Sequence, residues 1–120
     1  NAMVWIRGHR SDYDDWGALA GPDWGGEAAL AAYRAIEDNE AGGDAFRGAG
    51  GPLSISANRR DLHPLVDTFI ASAEATGLRR NADFNGTEQE GVGIYQMTIR
   101  KARRNSAARA FLRPAMKRPN

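Results

Sequence analysis

The chain has 120 residues, 42% of them hydrophobic, and this length makes one domain at most, with a modest core. It contains no cysteine, which excludes disulfides and thiolate metal sites, no apolar run near the ~20 residues of a membrane span, and no apolar leader segment. The formal net charge is only +1, but it is uneven: every Asp and Glu lies at or before Glu90, while eight Lys and Arg and no acid follow it.

Residues 11–19 read as a short helix. Ser11 or Asp12 can cap it, because a side-chain oxygen accepts the free N–H groups of a first turn. Tyr13 and Trp16 share a face, and Gly21-Pro22 stops the helix. Glu27 to Glu40 reads as a second helix, with Ala29, Leu30, Tyr33 and Ile36 forming one apolar stripe. Glu37, Asp38 and Glu40 would then oppose the dipole at its C-terminal end, and a basic partner from the Arg-rich end would offset them.

Residues 41–51 hold five glycines and form a loop. The loop superficially suggests a phosphate cradle, yet it lacks the Lys-Ser/Thr of that motif and carries Asp44. Residues 52–56 alternate and read as a strand. Pro64 to Thr76 is the third helix, with Pro64 at its first position and Gly77 as its stop. Its face of Leu65, Val66, Phe69, Ile70 and Ala73 is the densest apolar surface in the sequence, so it is expected to anchor the core. Residues 79–91 are an acidic loop turning at Asn85-Gly86. Val92 to Ile99 reads as a second strand. Asn105 or Ser106 caps a last helix through Leu112, which Pro114 ends. The fold class is therefore α+β, helix-rich, with a small antiparallel sheet.

The residues alone offer little catalytic chemistry. His9 and His63 have no metal-ligand spacing, and His63 suits a local role at a helix start. Glu88 and Glu90 on a loop are expected to be solvated. Tyr95 and Met97 alternate as core residues do. The basic end suits an acidic surface better than nucleic acid, whose sites interleave aromatics with cations. Neither nucleic acid nor a membrane span is expected as a partner. No metal ligand and no catalytic residue is assigned.

Several motifs nevertheless resemble one family in order along the chain. They are Met3-Val4-Trp5-Ile6-Arg7-Gly8-His9 through Trp16, Pro22-Asp23-Trp24-Gly25, Gly50-Gly51-Pro52-Leu53-Ser54, Asp83-Phe84-Asn85-Gly86, Glu90 to Gln96, Arg104 to Pro114, and Lys117-Arg118-Pro119. Together they resemble the glucose–methanol–choline (GMC) oxidoreductases, in particular the bacterial choline dehydrogenase-like branch. The departure is Lys101-Ala102, where many relatives carry Asn-Gly; it puts that turn in doubt.

The resemblance implies an FAD-dependent enzyme that passes hydride from a CH–OH carbon to the flavin. It implies that Met3, Val4 and Trp5 bind the cofactor in the full-length enzyme, beside the isoalloxazine. Gly8 and Asp14 match the rest of that signature. Arg104 and Ser106 match the segment leading back into the FAD domain, and residues 20–100 the substrate-side cap. The family's GxGxxG unit and its proton-handling histidine pair have no counterpart here. Residues 3–120 are thus expected to be a single-domain internal fragment, inactive and without FAD on its own. Asn1-Ala2 is set apart as an expression scar. The implied partner is the rest of the parent polypeptide. The isolated chain is expected to self-associate as a homo-oligomer through unpaired strands and uncovered ends. The implied setting is the bacterial cytoplasm, with membrane association of the full-length enzyme left open. The alternatives are a free-standing interaction domain with a basic docking face and a small regulatory fold.

Overall fold

The computed structural model describes residues 3–57 and 62–119; Asn1 and Ala2 lie outside them. The order of elements is β1 (Val4–Trp5), α1 (Arg10–Ala20), α2 (Gly26–Ile36), β2 (Glu37–Asn39), β3 (Leu53–Ile55), α3 (Leu65–Ala75), β4 (Gln96–Met97), β5 (Ile99–Arg100) and β6 (Arg103–Arg104). A π-helical turn (Ala108–Leu112) and α4 (Arg113–Ala115) close the chain.

The strands are short and pair in twos. β1 runs antiparallel to β4, with Val4 opposite Met97 and Trp5 opposite Gln96. β2 runs parallel to β3, and β5 antiparallel to β6. A bridge from Ser56 to Met97 ties the end of β3 to β4. The sheet structure is therefore mixed rather than wholly antiparallel. Leu53, Ser54 and Ile55 are all buried, as expected for a parallel strand covered on both faces. Leu53, Ile55 and Ala110 form the central cluster, with Trp5 packed on it.

α1 forms where expected, but its cap is His9, two residues before Ser11 and three before Asp12. The His9 ring nitrogen accepts from the Ser11 amide and Asp12 reaches back to the His9 amide at 3.0 Å. α1 docks on α2 through Tyr13, whose ring meets Tyr33 edge-on at 6.2 Å. Asp14 accepts from the Gly26 amide and so caps the start of α2.

α2 stops at Ile36, four residues short of the expected end. Glu37 to Asn39 instead pair with β3, because burying the Glu37 carboxylate requires the chain to leave the helix. Its basic partner is Arg7, not the Arg-rich end. The glycines of the 41–51 loop serve this junction. A Cβ on Gly48 would lie 1.8 Å from the Arg34 carbonyl oxygen, and one on Gly51 2.4 Å from the Ile36 carbonyl carbon. They allow close backbone packing and form no phosphate cradle.

α3 does not anchor the core. Ile70 is its one buried residue, whereas Leu65 is 66% and Phe69 69% exposed. The apolar stripe is genuine, but nothing among the described residues covers most of it. The expected strand at 92–99 is broken into an isolated pairing of Val92 with Arg80, β4 and β5. β1 and β6 went unpredicted because each is two residues long. The β5–β6 turn holds Lys101 at φ 49° and Ala102 at φ 56°. Two consecutive positive φ values are those of a type I′ hairpin turn, which normally wants Asn-Gly. The turn type persists without its preferred residues. Neither Asn105 nor Ser106 caps the last helix through its side chain; the Ser106 carbonyl accepts from Arg109 and Ala110 instead. Pro114 lies inside α4 rather than ending the preceding helix.

Candidate functional site

β1 and the two residues after it alternate. Trp5 and Arg7 turn inward, while Val4 and Ile6 remain 43% and 42% exposed. Trp5 packs on the central cluster yet also lines the cleft beside Val4 and Ile6, so what the segment separates is Arg7 from residues 3–6.

On the inner side lies a buried polar network. Arg7 pairs with Glu37, donates to the Phe46 carbonyl at 2.6 Å, and stacks 5.3 Å over the Tyr33 ring. The other Glu37 oxygen accepts from Asn39 Nδ2 at 2.8 Å. These contacts satisfy much of the pair's hydrogen-bonding capacity, although Arg7 Nε is buried with no hydrogen-bond partner among the described residues. Tyr33 bonds the Tyr13 hydroxyl at 3.1 Å, which also accepts from the Gly8 amide. That hydroxyl contact, then burial, push the Tyr33 phenol up to about 12, against the opposing charge of Arg7. Asn85 is buried beside the network. Its Oδ1 accepts from the Arg7 amide at 2.9 Å and its Nδ2 donates to the Trp5 carbonyl at 3.0 Å. A cavity of about 290 Å³ opens here, lined in part by Arg7, Tyr13, Tyr33, Phe84 and Gln89.

On the outer side, residues 3–6 line a second cleft of about 450 Å³ with Leu53, Thr98, residues 104–107 and Phe111. Met3, at φ 71°, bends the chain at its mouth, and its carbonyl accepts from the Thr98 amide at 2.8 Å. Asn105 is buried and its amide bonds the Thr98 carbonyl, which fixes residues 104–107 against β4 and β5. The lining combines apolar Val4, Ile6 and Phe111 with the hydroxyls of Thr98 and Ser106 and the cation Arg104. No acid lines it, and Arg104 has no carboxylate partner among the described residues. The lining is thus part apolar and part hydrogen-bonding with one cation, and the volume lies in the usual range for small-molecule sites.

The structure thus brings Met3, Val4 and Trp5 together with Arg104 and Ser106, although about 100 residues separate them. It does not bring Gly8 or Asp14 to the same cleft. His9 and His63 cap helices; the His63 ring nitrogen accepts from the Leu65 amide. No metal-binding cluster exists among the described residues, and no helix among them is long and apolar enough to cross a membrane. Sequence reading missed Arg7, Glu37 and Asn85 as one buried unit. Its signal was an arginine in phase with Trp5 inside an otherwise apolar run.

Comparison with known proteins identifies the family. The GMC oxidoreductase family model matches residues 1–120, including Asn1 and Ala2, which the sequence reading sets apart. The oxygen-dependent choline dehydrogenase of Brucella anthropi is 40% identical over 120 residues, covering 100% of this chain and 22% of that protein. The alcohol dehydrogenase [acceptor] of Pseudomonas putida is 41% identical, again with 22% of its length covered. The crystal structure of pyridoxine 4-oxidase from Mesorbium loti superposes with a TM-score of 0.87 at 38% identity, over 98% of this chain and 23% of that one. An FAD-dependent oxidoreductase from Chaetomium thermophilum superposes equally well, at 28% identity. The chain belongs to the GMC oxidoreductase family, and it spans about a fifth of the length of the relatives it matches.

Proposed function

We propose that this chain is the flavin-facing segment of an FAD-dependent alcohol dehydrogenase or oxidase of the choline-oxidising kind. The observation that carries the reading is the outer cleft, where the Met3–Trp5 and Arg104–Ser106 segments meet. The lining fits the isoalloxazine end of FAD: Val4, Ile6 and Phe111 offer apolar contact, and Thr98, Ser106 and Arg104 offer donors to its polar edge. The lining does not fit the ADP end, which takes a GxGxxG turn that the described residues lack. When bound, the flavin supplies the hydride acceptor for a CH–OH carbon. The task of this chain is to hold residues 3–6 rigid and dry at that surface and to keep a cation there with no competing carboxylate. The proton-handling groups belong to other parts of the polypeptide.

A second feature supports the segment reading. The accessible surface is 8483 Å², against about 6,300 Å² for a free-standing folded monomer of this mass. The radius of gyration, 16.4 Å, exceeds the roughly 13.6 Å of a compact domain of this length.

The test is to purify the 120-residue chain and, separately, the polypeptide of the relatives' length that contains it. Stoichiometric flavin absorbance and choline-dependent dye reduction are expected from the longer polypeptide. The short chain is expected to show neither. A longer polypeptide purified without flavin would overturn the reading, as would flavin fully retained by the short chain alone.

A further inference from the structure

We infer that Asn85 is a positioning residue that extends β1 beyond its pairing with β4 and so holds Ile6 on the outer cleft; the functional half of this inference rests on the flavin reading above.

The ladder between β1 and β4 ends at Trp5 opposite Gln96. Trp5 and Gln96 are the hydrogen-bonded pair of that ladder, since Thr98 bonds Met3 across Val4 and Met97, so the groups left without a strand partner begin at Arg7, and buried peptide groups are rarely left unpaired. Trp5 and Arg7 are two apart and, by strand alternation, present their groups on one edge. The Asn85 side chain takes both: Nδ2 donates to the Trp5 carbonyl at 3.0 Å and Oδ1 accepts from the Arg7 amide at 2.9 Å. One primary amide therefore does what a neighbouring strand's peptide would do, bracketing Ile6. Gln89 Nε2 adds a bond to the Arg7 carbonyl at 2.8 Å.

Asn85 is itself held. It is only 6% exposed, its amide donates to Asp83 Oδ1 at 3.0 Å, and the Asp83 amide donates to Asn81. Asp83 is tied to the 41–51 loop through Arg47 at 2.5 Å. The clamp is therefore mounted on a braced loop rather than on a free side chain. Ile6, bracketed by it, lines the outer cleft, whereas Arg7 enters the inner network. One side chain fixes the register of both. The primary amide of Asn supplies the donor and the acceptor that these two contacts need from one short planar group. Asp keeps the acceptor alone, and Ala keeps neither.

In the unsubstituted chain, NMR should detect a through-hydrogen-bond coupling from the Arg7 amide nitrogen to Asn85 Cγ, a measurement independent of any variant. Its absence overturns the clamp. In Asn85→Ala, exchange of the Arg7 amide should accelerate at least about tenfold, the worth of one hydrogen bond near the upper end of the usual range. The Thr98 amide, bonded to Met3, should stay within about threefold of the unsubstituted rate. Asn85→Asp should keep the Arg7 amide protected. In the longer polypeptide, Asn85→Ala should alter the visible circular dichroism of the bound flavin, and Asn85→Asp should restore it in part. Clear coupling with an unchanged flavin spectrum in Asn85→Ala overturns the positioning role and leaves a structural clamp. A longer polypeptide without flavin overturns the positioning role together with the function proposed above, while Arg7 exchange still decides the clamp.

Discussion

The buried Arg7–Glu37 pair should couple two distant parts of the chain by several kcal/mol. Glu37 is 0% exposed, and Arg7 reaches it across 30 residues. In Glu37→Ala the guanidinium stays buried without its counter-charge, a change that typically costs about 3–5 kcal/mol. The Phe46 carbonyl and the Tyr33 ring remain in contact with Arg7. They soften the loss, since a cation over an aromatic face is worth about 0.5–2 kcal/mol, so we expect a loss near 3 kcal/mol. That is a large part of the roughly 5–15 kcal/mol by which a domain is stable. Arg7→Met should cost a similar amount by leaving the carboxylate alone. The double variant Arg7→Met/Glu37→Ala removes both charges and should cost about 2–3 kcal/mol less than the sum of the two single changes. Urea denaturation of the four proteins closes the cycle. A coupling energy under about 0.5 kcal/mol, the size seen for exposed pairs, would refute the claim that the pair is desolvated and mutually dependent.

Neighbouring positions on α3 should behave oppositely. Phe69→Ala should stay within about 0.5 kcal/mol, as at exposed sites, whereas Ile70→Ala should cost about 2–5 kcal/mol, because Phe69 is 69% and Ile70 3% exposed; equal losses in chemical denaturation would contradict this packing. Ala102→Gly should raise stability by about 0.5–1 kcal/mol. A left-handed residue with a Cβ costs about 1–2 kcal/mol, of which glycine's greater unfolded-state freedom takes back about 0.4–1; a lowered melting temperature would mean that the turn is not left-handed in solution. The Tyr33 phenol keeps its proton to about 12 in the fold but only to 10.0 unfolded. Its contribution is complete below pH 10 and lost as pH rises towards 12, because the unfolded chain then binds fewer protons. Tyr33→Phe should flatten that alkaline limb, and an unchanged limb would rule the phenol out as its source. The isolated chain should self-associate with rising concentration, and a single 13.0 kDa species at every concentration in sedimentation equilibrium would count against that.

Local signals carried much of this architecture. α1, α2 and α3 announce themselves through 3–4 spacing, and β3 through alternation. What escaped had causes outside the local sequence. Glu37 continues a good helical pattern, yet the chain leaves the helix because Arg7, far away in sequence, takes its carboxylate. The apolar stripe of α3 has core periodicity, but periodicity reports a face that can be buried and not whether this chain buries it. β1 and β6 are too short for a period to register. Asn85 was legible only as a turn residue, since a side chain that acts as a strand partner leaves no spacing of its own. Met3–Trp5 and Arg104–Ser106 could each be matched to the family, but only the fold places them on one cleft.

Where the apolar surface lies argues for the same view of the molecule. Among the described residues, the buried hydrophobic side chains are Leu53, Ile55, Ile70, Phe84, Val92 and Ala110, while Leu19, Trp24, Leu65, Phe69, Leu112 and Met116 are more than half exposed. A chain selected to stand alone would bring its larger apolar groups inside first, since each buried Leu or Phe contributes about 1.5–3 kcal/mol. Here the interior is instead held by hydrogen-bonded polar groups: Arg7, Glu37, Asn39, Asn85 and Asn105 are all buried. Polar networks of this kind specify geometry more than they add stability. The chain therefore fixes the position of residues 3–7 and leaves its apolar faces open, the arrangement that the function proposed above would require.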